Sequence, residues 1–227
     1  VFRAALNVVV FTLGVELVGA LFIYSSIVDN AIIEHKFYFS LFHSISAFCN
    51  AGFALFTLNL EDFKGSGIIN FAIPLLIFLG GIGFASLLNI FDSIRSRKNK
   101  LYLTTKIALV ISFSLIIIGM ILTLVLERNN LGTLAHLSLK DKLLASLFQS
   151  VSTRTAGFNT IAMGALTAPT LFTYIILMFI GASPGSTGGG IKTTTFGIVI
   201  LGVWSTLTNR QDIEIGKRRI GWDIFNK

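Results

Sequence analysis

The sequence predicts an all-α polytopic membrane protein, built as tandem repeats of helix, re-entrant pore loop and helix. Three observations predict it. Hydrophobic residues make up 53% of the 227 positions and charged residues only 13%, about half the charged share of a soluble domain, and the mean hydropathy is +0.80. Four apolar runs, each long enough to cross a hydrocarbon layer about 30 Å thick, alternate with short connectors. Finally, two short segments read almost alike: Ser40-Leu-Phe-His-Ser-Ile-Ser-Ala-Phe-Cys-Asn-Ala-Gly-Phe53 and Ser146-Leu-Phe-Gln-Ser-Val-Ser-Thr-Arg-Thr-Ala-Gly-Phe158.

The first run, Ala4 to Val28, suits a tilted spanning helix. Glu16 lies near its middle, where an ionisable group is costly and faces protein. Structural pairing is the preferred role for it, attraction of cations the other. The segment ending in Ala51-Gly52-Phe53 follows. It is too short to span as a helix, and non-helical backbone at membrane depth is tolerated only where protein or a water-filled path covers it. Ile68 to Phe91 is the second run, in which Gly80-Gly81-Ile82-Gly83 permits close helix contact. Ile107 to Leu126 is the third, followed by the second short segment. The last run extends from about Ala168 to Thr208, about 60 Å as one continuous helix, so it must bend, break or protrude. Gly181-Ala-Ser-Pro-Gly-Ser-Thr-Gly-Gly-Gly190 is where it breaks, since each Gly costs about 1 kcal/mol and Pro about 3 in a helix interior. The first unit is expected over residues 1–97 and the second over 98–210, with residues 211–227 as a cytoplasmic connector.

Charge gives an orientation. Arg95, Arg97, Lys98, Lys100 and Lys106 crowd one connector, and Arg210, Lys217, Arg218, Arg219 and Lys227 the tail. Both belong on the cytoplasmic side, as does Arg3. The other connectors, with Asp29, Glu34, Lys36, Glu61, Asp62, Lys64, Glu127, Arg128, Lys140, Asp141 and Lys142, are nearly balanced and read as external. Both short loops then dip in from outside. The net charge of +7 is explained by topology, and nucleic-acid binding is not expected. The chain opens at Val1 on an apolar run with no signal-peptide cleavage site, so it reads as an internal piece or a processed form.

Gly52 and Gly157 are 105 positions apart and the two Ser-Leu-Phe starts 106 apart, so the loops align with one gap. Replacing the water shell of a cation needs successive backbone carbonyls aimed at one axis, and glycine reaches backbone angles that other residues resist. Asn50, Ala51 and Gly52, with Thr155, Ala156 and Gly157, are the expected carbonyl donors. Phe53 and Phe158 are expected to pack each strand against surrounding helices. Two interfacial amphipathic helices are the alternative, disfavoured because Ser40 to Cys49 has no Lys/Arg-rich face. Arg154 is expected to brace the loop through carbonyls. His43 is expected as a packed pore-helix residue.

No enzyme motif is present, and a single cysteine, Cys49, excludes an internal disulfide. A phosphate-binding loop fails at Gly181 to Thr195 because Ile191 separates Gly190 from Lys192. A kinked lipid-facing helix is the other alternative there.

Ser46-Ala-Phe-Cys-Asn-Ala-Gly-Phe53, Ser150-Val-Ser-Thr-Arg-Thr-Ala-Gly-Phe-Asn-Thr160 and Gly181-Ala-Ser-Pro-Gly-Ser-Thr-Gly-Gly-Gly-Ile-Lys-Thr-Thr-Thr195 closely resemble the Trk/Ktr/HKT family of cation transporters. The resemblance implies a K⁺-channel-like ring of four repeats, of which two, the second and third, are present here, with residues 211–227 leading toward a fourth. It implies that K⁺ is the transported ion, held by backbone carbonyls of Asn50 to Phe53 and Thr155 to Phe158. It implies a gate at Gly185, Ser186, Thr187, Gly188, Gly189 and Gly190. Ser183 is expected to meet the freed backbone or a passing ion, and Lys192 either to pin the loop or to snorkel. A homodimer in the plasma (cell inner) membrane is implied, with both ends of this chain cytoplasmic. No cofactor is expected in the chain itself; a nucleotide belongs to a separate cytosolic regulatory ring. A Na⁺-selective member of the family, or a non-conducting scaffold, are the alternatives.

Overall fold

The two longest uninterrupted apolar runs become the two longest helices, α1 (Phe2–Ile27) and α5 (Leu103–Glu127). The computed structural model describes residues 2–28, 33–95, 100–208, 213–215 and 218–220. Of the charges on which the expected orientation rests, Asp29, Arg97, Lys98, Arg210, Lys217 and Lys227 lie outside the described residues. Leu13, Leu17 and Leu21 on α1 and Ile117, Ile121 and Val125 on α5 stay exposed. A helix this apolar with an open apolar face belongs in lipid.

Each long helix is followed by a short one, α2 (Lys36–Phe48) and α6 (Leu139–Ser152). Each short helix leads to a pair, α3 (Gly67–Ile82) with α4 (Phe84–Arg95), and α7 (Ala168–Phe179) with α8 (Thr193–Leu207). The membrane part is all-α. A small antiparallel hairpin, β1 (Ile213–Ile215) and β2 (Arg218–Ile220), pairs Ile213 with Ile220 in the segment expected as a connector. One apolar core joins Ile23, Ile27, Phe39, Ile73 and Leu76 to Phe148 and Phe158 of the second unit. The other lies among Leu115, Leu134, Ala145, Tyr174 and Leu177.

The two units are fastened by the same bolts. Ser44 Oγ on α2 donates to the Glu16 carbonyl of α1 at 2.6 Å, and Ser150 Oγ on α6 donates to the Ile116 carbonyl of α5 at 2.7 Å. Three residues beyond each carbonyl sits a glycine. A Cβ on Gly19 would stand 2.6 Å from Ser44 Oγ, and one on Gly119 would overlap Ser150 Oγ and stand 2.9 Å from Leu177 Cδ1. Small residues at such crossings let backbones approach closely.

The second apolar run departs from expectation. Instead of one spanning helix, residues 67–95 form α3 and α4, bent by 102°. The break is at Gly83, whose φ of +91° is available to glycine at little cost. Phe84 N–H, which loses its helical acceptor there, donates instead to the Gly185 carbonyl at 3.1 Å. The expected break in the fourth run is present, with residues 180–192 separating α7 from α8.

Glu127 also differs. Counted as an external connector charge, it is fully buried at the end of α5. Its carboxylate accepts from Asn130 Nδ2 at 2.6 Å, Thr133 Oγ1 at 2.7 Å, Thr167 N at 2.9 Å, Thr167 Oγ1 at 2.7 Å and Thr170 Oγ1 at 2.5 Å. The last three come from Thr167, the residue just before α7, and Thr170 in its first turn, where a negative charge meets the positive end of the helix dipole. Glu127→Gln replaces an acceptor by a donor facing donors. It is expected to lower stability by about 2–4 kcal/mol, read as a lower thermal midpoint of the purified full-length protein.

Candidate functional site: paired loops above a glycine-rich break

The helices α2 and α6 each end at one of the repeated loops, which puts the negative ends of two helix dipoles beside them. Beyond the helix ends the backbone follows the same path twice. Asn50 and Gly52 have φ of 52° and 71°, and Thr155 and Gly157 have φ of 72° and 85°. The alternation of left-handed and ordinary residues ends the helical hydrogen-bond ladder at each loop.

Serines set where each loop ends. Ser46 Oγ donates to the Phe53 carbonyl at 2.9 Å, and Ser152 Oγ to the Phe158 carbonyl at 2.5 Å. Ala51 N–H returns to Ser46 O and Ala156 N–H to Ser152 O, both at 2.9 Å. The carbonyls of Asn50, Ala51, Thr155, Ala156 and Gly157 accept no hydrogen bond among the described residues, and that of Gly52 meets only a long 3.5 Å contact from Asn59 Nδ2. An array of fixed, unclaimed carbonyls can take the place of water around a cation. The two loops touch: a Cβ on Gly52 would overlap the Ala156 carbonyl oxygen and stand 2.8 Å from Gly157 Cα. On the far side Asn159 N–H donates to Asn59 Oδ1 at 3.2 Å, Leu60 N–H to the Asn159 carbonyl at 3.0 Å, and Asn159 Nδ2 to Glu61 Oε1 at 2.9 Å.

The two phenylalanines part company. Phe158 is 2% exposed and sits 6.4 Å, ring centre to ring centre, from His43 of the first unit. Phe53 is 70% exposed, contrary to the expected packing. Phe158 packs on the unit before it in the chain, and no equivalent neighbour for Phe53 exists among the described residues. His43 is buried as expected, its Nδ1 against the Phe39 carbonyl at 2.8 Å and its Nε2 accepting from Leu55 N–H at 3.3 Å. That pairing fits the neutral tautomer.

Below the loops, residues 181–190 dock against the bend between α3 and α4. Ser183 N–H donates to the Gly81 carbonyl at 2.9 Å and Thr187 N–H to the Gly80 carbonyl at 3.2 Å. With the Phe84 bond, three main-chain links hold it. Side chains add more. Ser183 Oγ bonds Thr193 Oγ1 at 2.8 Å, Ser186 Oγ donates to the Ser183 carbonyl at 2.6 Å, and Lys192 Nζ donates to the Gly188 carbonyl at 2.9 Å. Lys192 therefore turns onto the segment rather than away from it. Arg154 also differs from expectation. Its side chain donates from Nη2 to the Gly181 carbonyl at 2.9 Å, so its bond reaches the glycine-rich segment rather than the loop that follows it.

Glu16 is buried, but no basic residue pairs with it among the described residues; its Oε1 lies 4.0 Å from Cys49 Sγ. Sequence alone singles out neither the serine bolts, nor Asn59 and Asn159, nor the role of Gly83. The repeated Ser-x-Ser within Ser44-Ile-Ser46 and Ser150-Val-Ser152 was the available signal for the serines, since polar residues recurring on an apolar segment must find partners.

Residues 3–227 match the family model described as TrkH, cation transport protein. The chain is 40% identical over 218 residues to the Ktr system potassium uptake protein B of Bacillus subtilis, covering 96% of this chain and 48% of that protein. It is 36% identical over 225 residues to the protein of the same name from Vibrio alginolyticus, covering 99% and 50%. The chain thus spans about half the length of the curated relatives it matches. The fold is similar to the crystal structure of the potassium transporter TrkH from Vibrio parahaemolyticus, with a TM-score of 0.69 and 21% identity, over 92% of this chain and 44% of that one. At that identity the likeness concerns the fold alone.

Proposed function

Because this chain belongs to the TrkH family of cation transport proteins, we propose that it supplies two of the repeats surrounding a K⁺ uptake pathway. The observation that carries the reading is the twice-repeated backbone path at Asn50 to Gly52 and Thr155 to Gly157, with its unclaimed carbonyls. Dehydrated K⁺ passes carbonyls of Asn50 to Phe53 and Thr155 to Phe158. The serine bonds to Phe53 and Phe158 leave the carbonyls at 50–52 and 155–157 as the principal donors. Selection follows from the number and spacing of these dipoles. Below them the segment Gly185 to Gly190 is the gate, braced by Arg154 through Gly181, by Ser183, and by Lys192 through Gly188.

Two repeats form half a ring, and the complete transporter closes it with two more. The chain sits in the plasma membrane with its basic connectors cytoplasmic. The assembly is a homodimer, controlled by a cytosolic nucleotide-binding ring that acts on the gate. Rb⁺ and Na⁺ uptake into liposomes holding the full-length transporter tests the reading. Rb⁺ uptake well above Na⁺ uptake is expected. Folded, inserted protein that passes neither ion overturns it, and Na⁺ uptake equal to or above Rb⁺ overturns the choice of ion.

A further inference from the structure

Thr155 poses a question of cost. It is β-branched and held at φ 72°, a backbone region that such a residue occupies only under constraint. Glycine would sit there at little cost, as it does two residues later at Gly157. A side chain kept against that cost does something at this position, and its hydroxyl accepts a hydrogen bond 3.1 Å long from Gly189 N–H of the glycine-rich segment.

The equivalent position in the first loop behaves in the same way. Asn50, at φ 52°, sends Nδ2 to Thr187 Oγ1 at 2.6 Å. Thr187 Oγ1 in turn donates to the Phe48 carbonyl at the end of α2, 3.0 Å away. Asn50 is 9% exposed, and among the described residues its Oδ1 has no partner. It lines a small cavity of about 10 Å³ together with Arg154, whose Nε is likewise unpartnered. The amide is therefore committed through its NH₂ group, and that commitment is to Thr187.

Both anchors flank Gly188. Thr187 is held by the first loop and Gly189 by the second, while the Gly188 carbonyl receives Lys192. The same two residues that grip the apex of the segment carry two of the unclaimed carbonyls above it. Any rotation of the Asn50 or Thr155 peptide would move the side chain that holds the segment.

We propose that Asn50 and Thr155 form a latch that couples the ion-binding loops to the gate, so that occupancy of the loops and opening of the segment beneath them bias each other. The proposal rests on the reading of residues 185–190 as the gate. Coupling of this kind is reciprocal: whatever favours the open segment changes ion binding by the same factor. Two positions on two loops, each gripping a different residue of the segment, make release a concerted event rather than a local one.

The test uses the full-length transporter in liposomes without any regulatory partner. Asn50→Gly and Thr155→Gly suit their positive φ and remove only the grip. Each is expected to raise resting Rb⁺ flux at least fivefold and to lower the Rb⁺ to Na⁺ ratio. Thr155→Ser, which keeps the hydroxyl, is expected to show less than half of the rise in resting Rb⁺ flux seen with Thr155→Gly. Thr187→Val deletes that bond from the segment side, together with the one to the Phe48 carbonyl, and is expected to raise resting flux at least as much as Asn50→Gly. Wild-type flux with all three deletion variants indistinguishable from it overturns the latch and leaves the transport reading standing. So does Thr155→Ser behaving like Thr155→Gly, because the hydroxyl is then not what matters. Absence of Rb⁺ flux from the wild type itself overturns the transport reading, and the latch with it. If a glycine variant does not fold, Thr187→Val decides the outcome.

Discussion

Gly52→Ala is expected to reduce Rb⁺ uptake by the full-length transporter at least tenfold more than Gly157→Ala does. Both glycines have positive φ, 71° and 85°, and a side chain there costs of order 1–3 kcal/mol. Their surroundings differ. A Cβ on Gly52 overlaps the Ala156 carbonyl oxygen and lies 2.8 Å from Gly157 Cα, whereas a Cβ on Gly157 comes only within 3.3 Å of Gly52 Cα. The first obstacle is backbone and cannot rotate aside, so the two loops must separate. Separation displaces one of the unclaimed carbonyls directly. Uptake of Rb⁺ and Na⁺ by the two variants checks the order, and a Gly157 variant more damaged than its Gly52 counterpart would count against this packing of the loops.

Three glycines at the bend make a second experiment with its own control. A Cβ on Gly80 would overlap the Phe48 carbonyl oxygen, and one on Gly83 the Pro184 carbonyl oxygen, with Gly83 also at φ +91°. Between them, a Cβ on Gly81 meets nothing closer than Ala182 Cβ at 3.8 Å, an ordinary contact. Gly80→Ala and Gly83→Ala are expected either to unfold the transporter or to free the glycine-rich segment, seen as a thermal midpoint lowered by more than about 5 °C or as elevated resting flux. Gly81→Ala is expected to leave flux unchanged and to raise stability slightly, by about 0.5–1 kcal/mol, as Ala replaces Gly in a helix. Equal damage from all three would mean that the crowding at the bend does not decide the outcome.

Much of this was legible in the residues, because the strongest signals were local. Runs of apolar residues define α1 and α5, and five glycines with a proline between residues 181 and 190 mark a helix break wherever it docks. The two Ala-Gly-Phe loops were legible through repetition. Features that depend on distant partners were not. Gly83 could be read as a packing glycine; that it bends a helix by 102° depends on an acceptor at Gly185. Arg154 was legible as a brace, but its acceptor at Gly181 lies 27 residues on. Glu127 looked like one charge among several in a connector, since the hydroxyls that surround it come from Thr133, Thr167 and Thr170. Phe53 and Phe158 both close an Ala-Gly-Phe triplet and are opposite in burial, because Phe158 has the preceding unit to pack on and Phe53 has no such neighbour among the described residues.

The bend at Gly83 has a consequence for how the chain is made. The groups that stabilise it on the glycine-rich side, Ser183 N–H, Gly185 O and Thr187 N–H, are synthesised about a hundred residues later, which is on the order of 5–20 s at ordinary ribosome speeds. During that interval a bent α3–α4 would leave the Gly80 and Gly81 carbonyls and the Phe84 amide without partners in hydrocarbon. A straight helix through residues 67–91 satisfies all three internally and is long enough to span. A chain cut before residue 183 is therefore expected to carry residues 67–91 as one straight spanning helix, read by accessibility labelling along it, and the docked hydrogen bonds to replace helical ones only when residues 183–187 are present. On that expectation the bend is a late event for its own unit, with a delay set by the distance in sequence between Gly83 and Gly185.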